Sequence, residues 1–201
     1  MFVVQKHDAS RLHYDFRLAI NGVLVSWAVP KGPSMNPAER HLAIRTEDHP
    51  IEYADFEGVI PEGQYGAGTV MVWDKGTYES KGGIPMEKQL ALGKIDIELH
   101  GMKLRGGFSL VKTPMRSAGA SDERWLLVKH RDEHADQAWN IEDPRFDRSV
   151  LTGRSLREIA SRRNRASRTP MRSGQDRRLG AQLASGRRAR HRQEIFCGGR
   201  R

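Results

Sequence analysis

From Leu12 to Ile20 the chain alternates. Leu12, Tyr14, Phe16, Leu18 and Ile20 share one face of an extended segment, and His13, Asp15 and Arg17 share the other. A period of two predicts a strand. Asn21-Gly22 follows, and both residues tolerate the positive φ that a two-residue hairpin turn requires. Val23 to Val29 returns as the second strand, until Val29-Pro30-Lys31-Gly32-Pro33-Ser34 stops it and opens a loop.

The rest of the chain continues in this style. Short strands are predicted at His41–Thr46, Thr69–Trp73, Lys94–Leu99, Phe108–Lys112 and Trp125–His130, with turns at Asp74–Thr77 and His100-Gly101 and a break at Arg105–Gly107. Pro85 to Leu92 is the one helix candidate of this region, with Gly93 as its stop, and Ser155–Ala160 can start another. Gly63, Gly66 and Gly68 resemble a phosphate-cradling loop. A strand follows them instead of a helix, so they are expected to serve as structural bends. Seven or eight short strands between glycine turns indicate an antiparallel all-β domain, sandwich or barrel.

The polar face of the first hairpin carries the chemistry. His7, His13 and Asp15 offer two imidazoles and a carboxylate, the donor set of a divalent metal site with positions left for water and substrate oxygen. Arg17, one strand step from Asp15, can grip a phosphate. The alternative is a surface strand on which Asp15 pairs with Arg17. A second cluster, Glu47-Asp48-His49-Pro50, follows, and Pro50 holds His49 extended. His49 can protonate a leaving oxygen or stabilise a phosphate. Lys31, between Pro30 and Gly32, is a phosphate contact or an idle loop cation.

The net charge of +9 is unevenly placed. Residues 161–201 hold 13 arginines against Asp176 and Glu194, leaving 21 basic and 23 acidic residues in 1–160. The tail has hardly any large apolar residue and is expected to be disordered. It adds nonspecific DNA affinity, or is a linker remnant or out-of-frame sequence. A single cysteine, Cys197, excludes an internal disulfide framework and fits a reducing compartment. No run of 18 apolar residues and no signal peptide is present, so a cytoplasmic, nucleoid-associated protein is expected, without a membrane partner.

Long blocks carry a resemblance. Phe2–Leu18 resembles the opening signature of the 3′-phosphoesterase domain of bacterial DNA ligase D. Trp27–Ser34, Glu47–Pro50 and Phe56–Gly68 resemble its later blocks, Trp125–His130 its last strand, and Ser149–Ala160 the segment leading out of it. The resemblance implies a small β-barrel with short flanking helices over residues 1–145, a linker with a short helix over 146–160, and the disordered Arg-rich tail over 161–201. It implies Mn2+, or another divalent transition metal, held by His7, His13 and Asp15. Arg17, His49 and Glu47 would be catalytic, and Gln5, Lys31, Tyr53 and His41 would bind substrate. His41 stands where the family often has arginine.

The implied activity is hydrolysis at the 3′ end of a primer strand, removing terminal ribonucleosides and 3′-phosphates to leave a 3′-hydroxyl. The implied partners are DNA primer-template ends, an ATP-dependent DNA ligase, a repair polymerase and the end-binding protein Ku. Family members carry an N-terminal arm before this signature, and ribonucleoside removal is the step expected to suffer without it. The rivals are a noncatalytic DNA-binding β-barrel module and a ferrous oxygenase built on two histidines and a carboxylate.

Overall fold

The structure, a computed structural model, describes residues 1–114 and 123–166. Within them lie ten strands: β1 (Phe2–Asp8), β2 (Leu12–Ile20), β3 (Val23–Val29), β4 (His41–Arg45), β5 (His49–Pro50), β6 (Gly58–Ile60), β7 (Gly68–Ser80), β8 (Lys94–Gly101), β9 (Arg105–Lys112) and β10 (Arg124–Lys129). The helices are α1 (Met86–Leu92) and α2 (Leu156–Ala166). Eight strands run in the order β1-β2-β3-β4-β10-β9-β8-β7, and β7 pairs back onto β1. All of these pairings are antiparallel. The choice between sandwich and barrel thus falls to a closed barrel, which leaves no free edge among those eight strands.

The alternating residues fill the barrel. Phe2, Val4, Tyr14, Phe16, Leu18, Trp27, Trp73, Phe108 and Trp125 form one buried cluster. Leu12, expected to join them, is 39% exposed at the outer end of β2. The Asn21-Gly22 turn has the anticipated positive φ, 49° and 82°. Likewise α1 follows Pro85 and ends on Gly93 in the left-handed region.

The turn expected at Asp74–Thr77 does not form, and β7 passes straight through it. Asp74 is fully buried, and its carboxylate accepts hydrogen bonds from the backbone N–H groups of Lys75, Met102, Lys103 and Leu104. A residue type common in turns here organises someone else's turn, the one joining β8 to β9. The break expected at Arg105–Gly107 is likewise part of β9.

A second layer covers the outside of the barrel. Val3, Leu24, Ala54 and Val72 form a small buried cluster, with Ile51 and Tyr53 packed on it. The chain from Thr46 to Gly66 therefore lies over β1, β2 and β3. It is stitched down at both ends: β5 pairs with β3 at Leu24↔His49, and β6 pairs with β7 at Gly58↔Val70.

The C-terminal part of the described chain packs on the barrel. Trp139, Ile141, Phe146 and Leu156 pack against the interior cluster, and Ile159 is buried in it. Lys6 reaches Asp147 at 2.9 Å, and Lys103 donates to the carbonyls of Phe146 and Arg148. Burial pushes the Lys103 amine down to about 8. The division at 145 and the linker expected at 146–160 thus fall within packed structure, because these apolar side chains have a barrel to cover. Helix α2 continues to Ala166, past the point at which the tail was expected to begin. From residue 167 on, the expected disordered tail lies outside the described residues. No helix among the described residues is long and apolar enough to cross a membrane.

Replacing Asp74 by alanine removes the acceptor of four backbone N–H groups in a buried setting. We expect a loss of at least about 3 kcal/mol of stability, measured by denaturant unfolding.

Candidate metal and phosphate site

The spacing of the first motif becomes geometry through the β1–β2 turn. Asp8 pairs with Leu12 across a three-residue connection, so the next pair along is His7 opposite His13. Asp15, two residues further on β2, lies on the same outer face. His7, His13 and Asp15 each offer a ligand atom within 4.8 Å of the others. His7 Nδ1 lies 3.5 Å from Asp15 Oδ2, and His13 Nε2 lies 3.7 Å from Asp15 Oδ1. Ligands about 2.1 Å from a common ion stand about 3 to 4.2 Å apart, so the separations from Asp15 to the two imidazoles suit one divalent cation.

Backbone carbonyls select the ring nitrogens. His7 Nε2 lies 3.0 Å from the Gly66 carbonyl, and His13 Nδ1 lies 2.9 Å from the Arg11 carbonyl. A carbonyl only accepts, so each of these nitrogens carries the proton. Nδ1 of His7 and Nε2 of His13 are left with bare lone pairs, the arrangement by which outer hydrogen bonds orient metal-binding histidines. Gly66 presents its carbonyl from a φ of 74°, a conformation that suits glycine. Burial raises the Asp15 pKa, but its polar and charged neighbours, the Arg17 guanidinium among them, outweigh it and hold the carboxyl below its ordinary range.

Arg17 is buried beside this group, with its side chain 4% exposed. Its Nε donates to Gln5 Oε1 at 2.8 Å, one Nη donates to Ser26 Oγ at 2.7 Å and to His49 Nδ1 at 3.0 Å, and the other Nη lies 3.2 Å from Asp15. Its plane rests 5.3 Å from the centre of the Tyr53 ring. Four of the five N–H groups are thereby engaged, which leaves one for an incoming anion.

His49 shares this corner. Its Nδ1 also lies 2.9 Å from the Glu47 carbonyl. Arg17 can only donate and a carbonyl can only accept, so Nδ1 satisfies one of the two: a ring protonated on Nε2 accepts from Arg17, and a ring protonated on Nδ1 donates to Glu47. A protonated ring would turn its Nδ1–H to Glu47 and lose the bond from Arg17. Burial and the charge of Arg17 lower the His49 pKa, favouring the neutral state near pH 7.

These groups line a cavity of about 270 Å³. His7, Ala9, His13, Asp15, Arg17 and Ala28 come from the barrel wall; Thr46, His49, Tyr53, Ile60, Tyr65 and Gly66 come from the cover. Gln5 stands behind Arg17, with its amide donating to the carbonyls of Tyr53 and Phe56. Lys31 and Glu47 are exposed and do not line the cavity. His41 does not line it either; its ring contacts the Gly32 carbonyl at 2.5 Å and Glu39 at 3.2 Å.

Sequence reasoning passed over Ser26, Thr46, Tyr65 and Gly66. Ser26 carried a readable signal as the lone hydroxyl in an apolar strand, and its register places it opposite Arg17. Thr46 brings a buried hydroxyl without a hydrogen-bond partner among the described residues. The glycine loop read as purely structural contributes Tyr65 and Gly66 to the cavity wall.

The profile of the DNA Ligase D 3′-phosphoesterase domain matches residues 5–112. The chain is 47% identical over 160 residues to the multifunctional non-homologous end joining protein LigD of Pseudomonas aeruginosa, covering 77% of this chain and 18% of that protein. It is 43% identical over 142 residues to the LigD of Mycobacterium tuberculosis, covering 71% of this chain and 17% of that protein. Against the LigD of Mycolicibacterium smegmatis it is 46% identical over 136 residues, 66% of this chain and 17% of that protein. The chain therefore spans less than a fifth of the length of these relatives. By profile and identity together, it belongs to the DNA Ligase D 3′-phosphoesterase domain family.

Proposed function

We propose that this protein is a metal-dependent hydrolase of 3′ ends in DNA end joining. It removes 3′-phosphates and 3′-terminal ribonucleosides from a primer strand and leaves a 3′-hydroxyl for a polymerase or ligase. The observation that carries this reading is the convergence of His7, His13 and Asp15 within 4.8 Å, with the Arg17 guanidinium alongside.

His7 through Nδ1, His13 through Nε2 and Asp15 would hold the ion, with Mn2+ well matched to this mixed donor set. A divalent cation there supplies Lewis-acid polarisation of a phosphoryl oxygen and a place to orient water. Arg17 binds a non-bridging oxygen of the phosphate and offsets the charge that grows there in the transition state. Gln5, Ser26 and Tyr53 keep the guanidinium in place. His49 directs its Nε2–H at the phosphate or at the oxygen of the departing alcohol. Water adds to phosphorus as the ester bond breaks, and the departing oxygen takes up a proton. In phosphate removal that oxygen is O3′ of the primer; in ribonucleoside removal it is O5′ of the terminal nucleoside. Glu47 serves through its carbonyl. Lys31 and His41, outside the cavity, are assigned to the flanking strand. An end-joining ligase, a repair polymerase and Ku are the partners this chemistry would serve.

Two measurements check the reading. Mn2+ at a hundredfold excess over Kd should stabilise the protein by about 2.7 kcal/mol, seen as a Tm rise of several degrees that His13→Ala removes. Phosphate release from a 3′-phosphorylated primer should require the metal and vanish in His13→Ala. Arg17→Lys should lower kcat on the order of a hundredfold while keeping the Mn2+-induced Tm rise. Metal binding with no turnover on any 3′-phosphate would instead establish a noncatalytic module.

A further inference from the structure

The wall of the cavity that Arg17 lines also carries an aromatic ring that stands largely in water. Tyr65 lines the cavity yet is 85% exposed, the most exposed of the large apolar side chains among the described residues. Leaving an aromatic face in water forgoes the burial that normally places such rings inside. The aromatic contacts near the phosphate corner all involve other residues: Arg17 over Tyr53, His49 against Tyr53, and Tyr53 stacked on Phe56. Tyr65 is therefore not part of the scaffold that holds Arg17.

Its place in the chain ties it to the site. Tyr65 lies between Gly63 and Gly66, both at positive φ, and the carbonyl of Gly66 orients His7. The ring thus stands at the rim of the cavity, one residue from a group that fixes a metal ligand. Ile60 and Ala9 extend the apolar side of the wall beside it. A phosphate seated at Arg17 and a base on Tyr65 would share this one cavity, since both side chains line it.

We propose that Tyr65 is a stacking platform for the nucleobase next to the reacting phosphate, and that it gives the site its preference for nucleic-acid ends over other phosphomonoesters. This rests on the phosphoesterase reading above and adds the contact by which the substrate class is recognised. Stacking on a ring face is available to every base, so it selects for a base without selecting a sequence. The hydroxyl plays no part, and phenylalanine should serve equally well.

The test uses a primer ending in a 3′-phosphorylated 2-aminopurine nucleotide, with Mn2+ present. Wild type and Tyr65→Phe should quench the fluorescence on binding, and Tyr65→Ala should not. In phosphate release, Tyr65→Ala should raise KM roughly tenfold on a primer with a terminal base. On a primer ending in a 3′-phosphorylated abasic residue, wild type and Tyr65→Ala should have the same KM. Quenching retained in Tyr65→Ala, or an equal rise in KM on the abasic primer, overturns the proposal. So does a lost Mn2+-induced Tm rise in Tyr65→Ala, which would make the ring a prop for Gly66 and His7. Quenching that follows Tyr65 without phosphate release from any primer supports the platform and refutes the phosphoesterase reading.

Discussion

Strand β1 has no wet face over most of its length. Phe2 and Val4 point into the barrel, while Val3, Gln5 and His7 point out and are buried as well. The barrel closes through this strand, because β1 pairs with both β2 and β7. A closing strand whose outer face carries an amide and an imidazole must be covered by something that satisfies them. The chain from Thr46 to Gly66 does this, with the carbonyls of Tyr53 and Phe56 meeting Gln5 and the carbonyl of Gly66 meeting His7. The cover is thus required by the barrel, and the cavity is the part of that junction where polar groups are left facing one another.

Burying Arg17 there is costly unless nearly every N–H is met, since an unpaired buried charge costs about 3–5 kcal/mol. Each partner comes from a different element: Gln5 from β1, Asp15 from β2, Ser26 from β3 and His49 from β5. The guanidinium joins the barrel wall to its cover and is held immobile by the joint. An arginine fixed in this way spends no reorganisation energy when an anion arrives, which is the condition for electrostatic stabilisation of a transition state. The same contacts leave it a single free N–H.

The metal group was legible because it is local. His7, His13 and Asp15 sit on one hairpin, and the turn length and the period of two determine that their side chains meet. The same holds for the alternating core residues and for the Asn21-Gly22 turn. Contacts made through the cover were not legible, because no local pattern announces which loop lies over which strand. Gln5, expected as a substrate contact, also holds Arg17, and Tyr65 and Gly66 were hidden in a loop that reads as a plain bend. Asp74 shows a third kind of failure. Its composition signals a turn, and the turn it builds belongs to residues 101–104, beyond the reach of a local reading. His41, Lys31 and Glu47 came from matching blocks in order, which carries residue type but not the direction of a side chain.

The cover is also fastened from its far side. Glu57, with its side chain 3% exposed, accepts from Arg154 at 2.9 Å, from the Thr152 hydroxyl and from the Val72 N–H at 3.3 Å. The neighbouring Phe56 carbonyl receives the Gln5 amide, whose oxygen in turn receives Arg17 Nε. Two sets of polar contacts, joined by the backbone at Phe56-Glu57, therefore link the segment at 149–154 to Arg17. That segment resembles the one leading out of the domain in longer relatives, yet here it holds a buried carboxylate in place. Ending the folded unit at residue 145 would strip Glu57 of Arg154 and Thr152 and uncover this side of the segment. The site's geometry thus depends on residues that a boundary drawn from the strand pattern alone would discard.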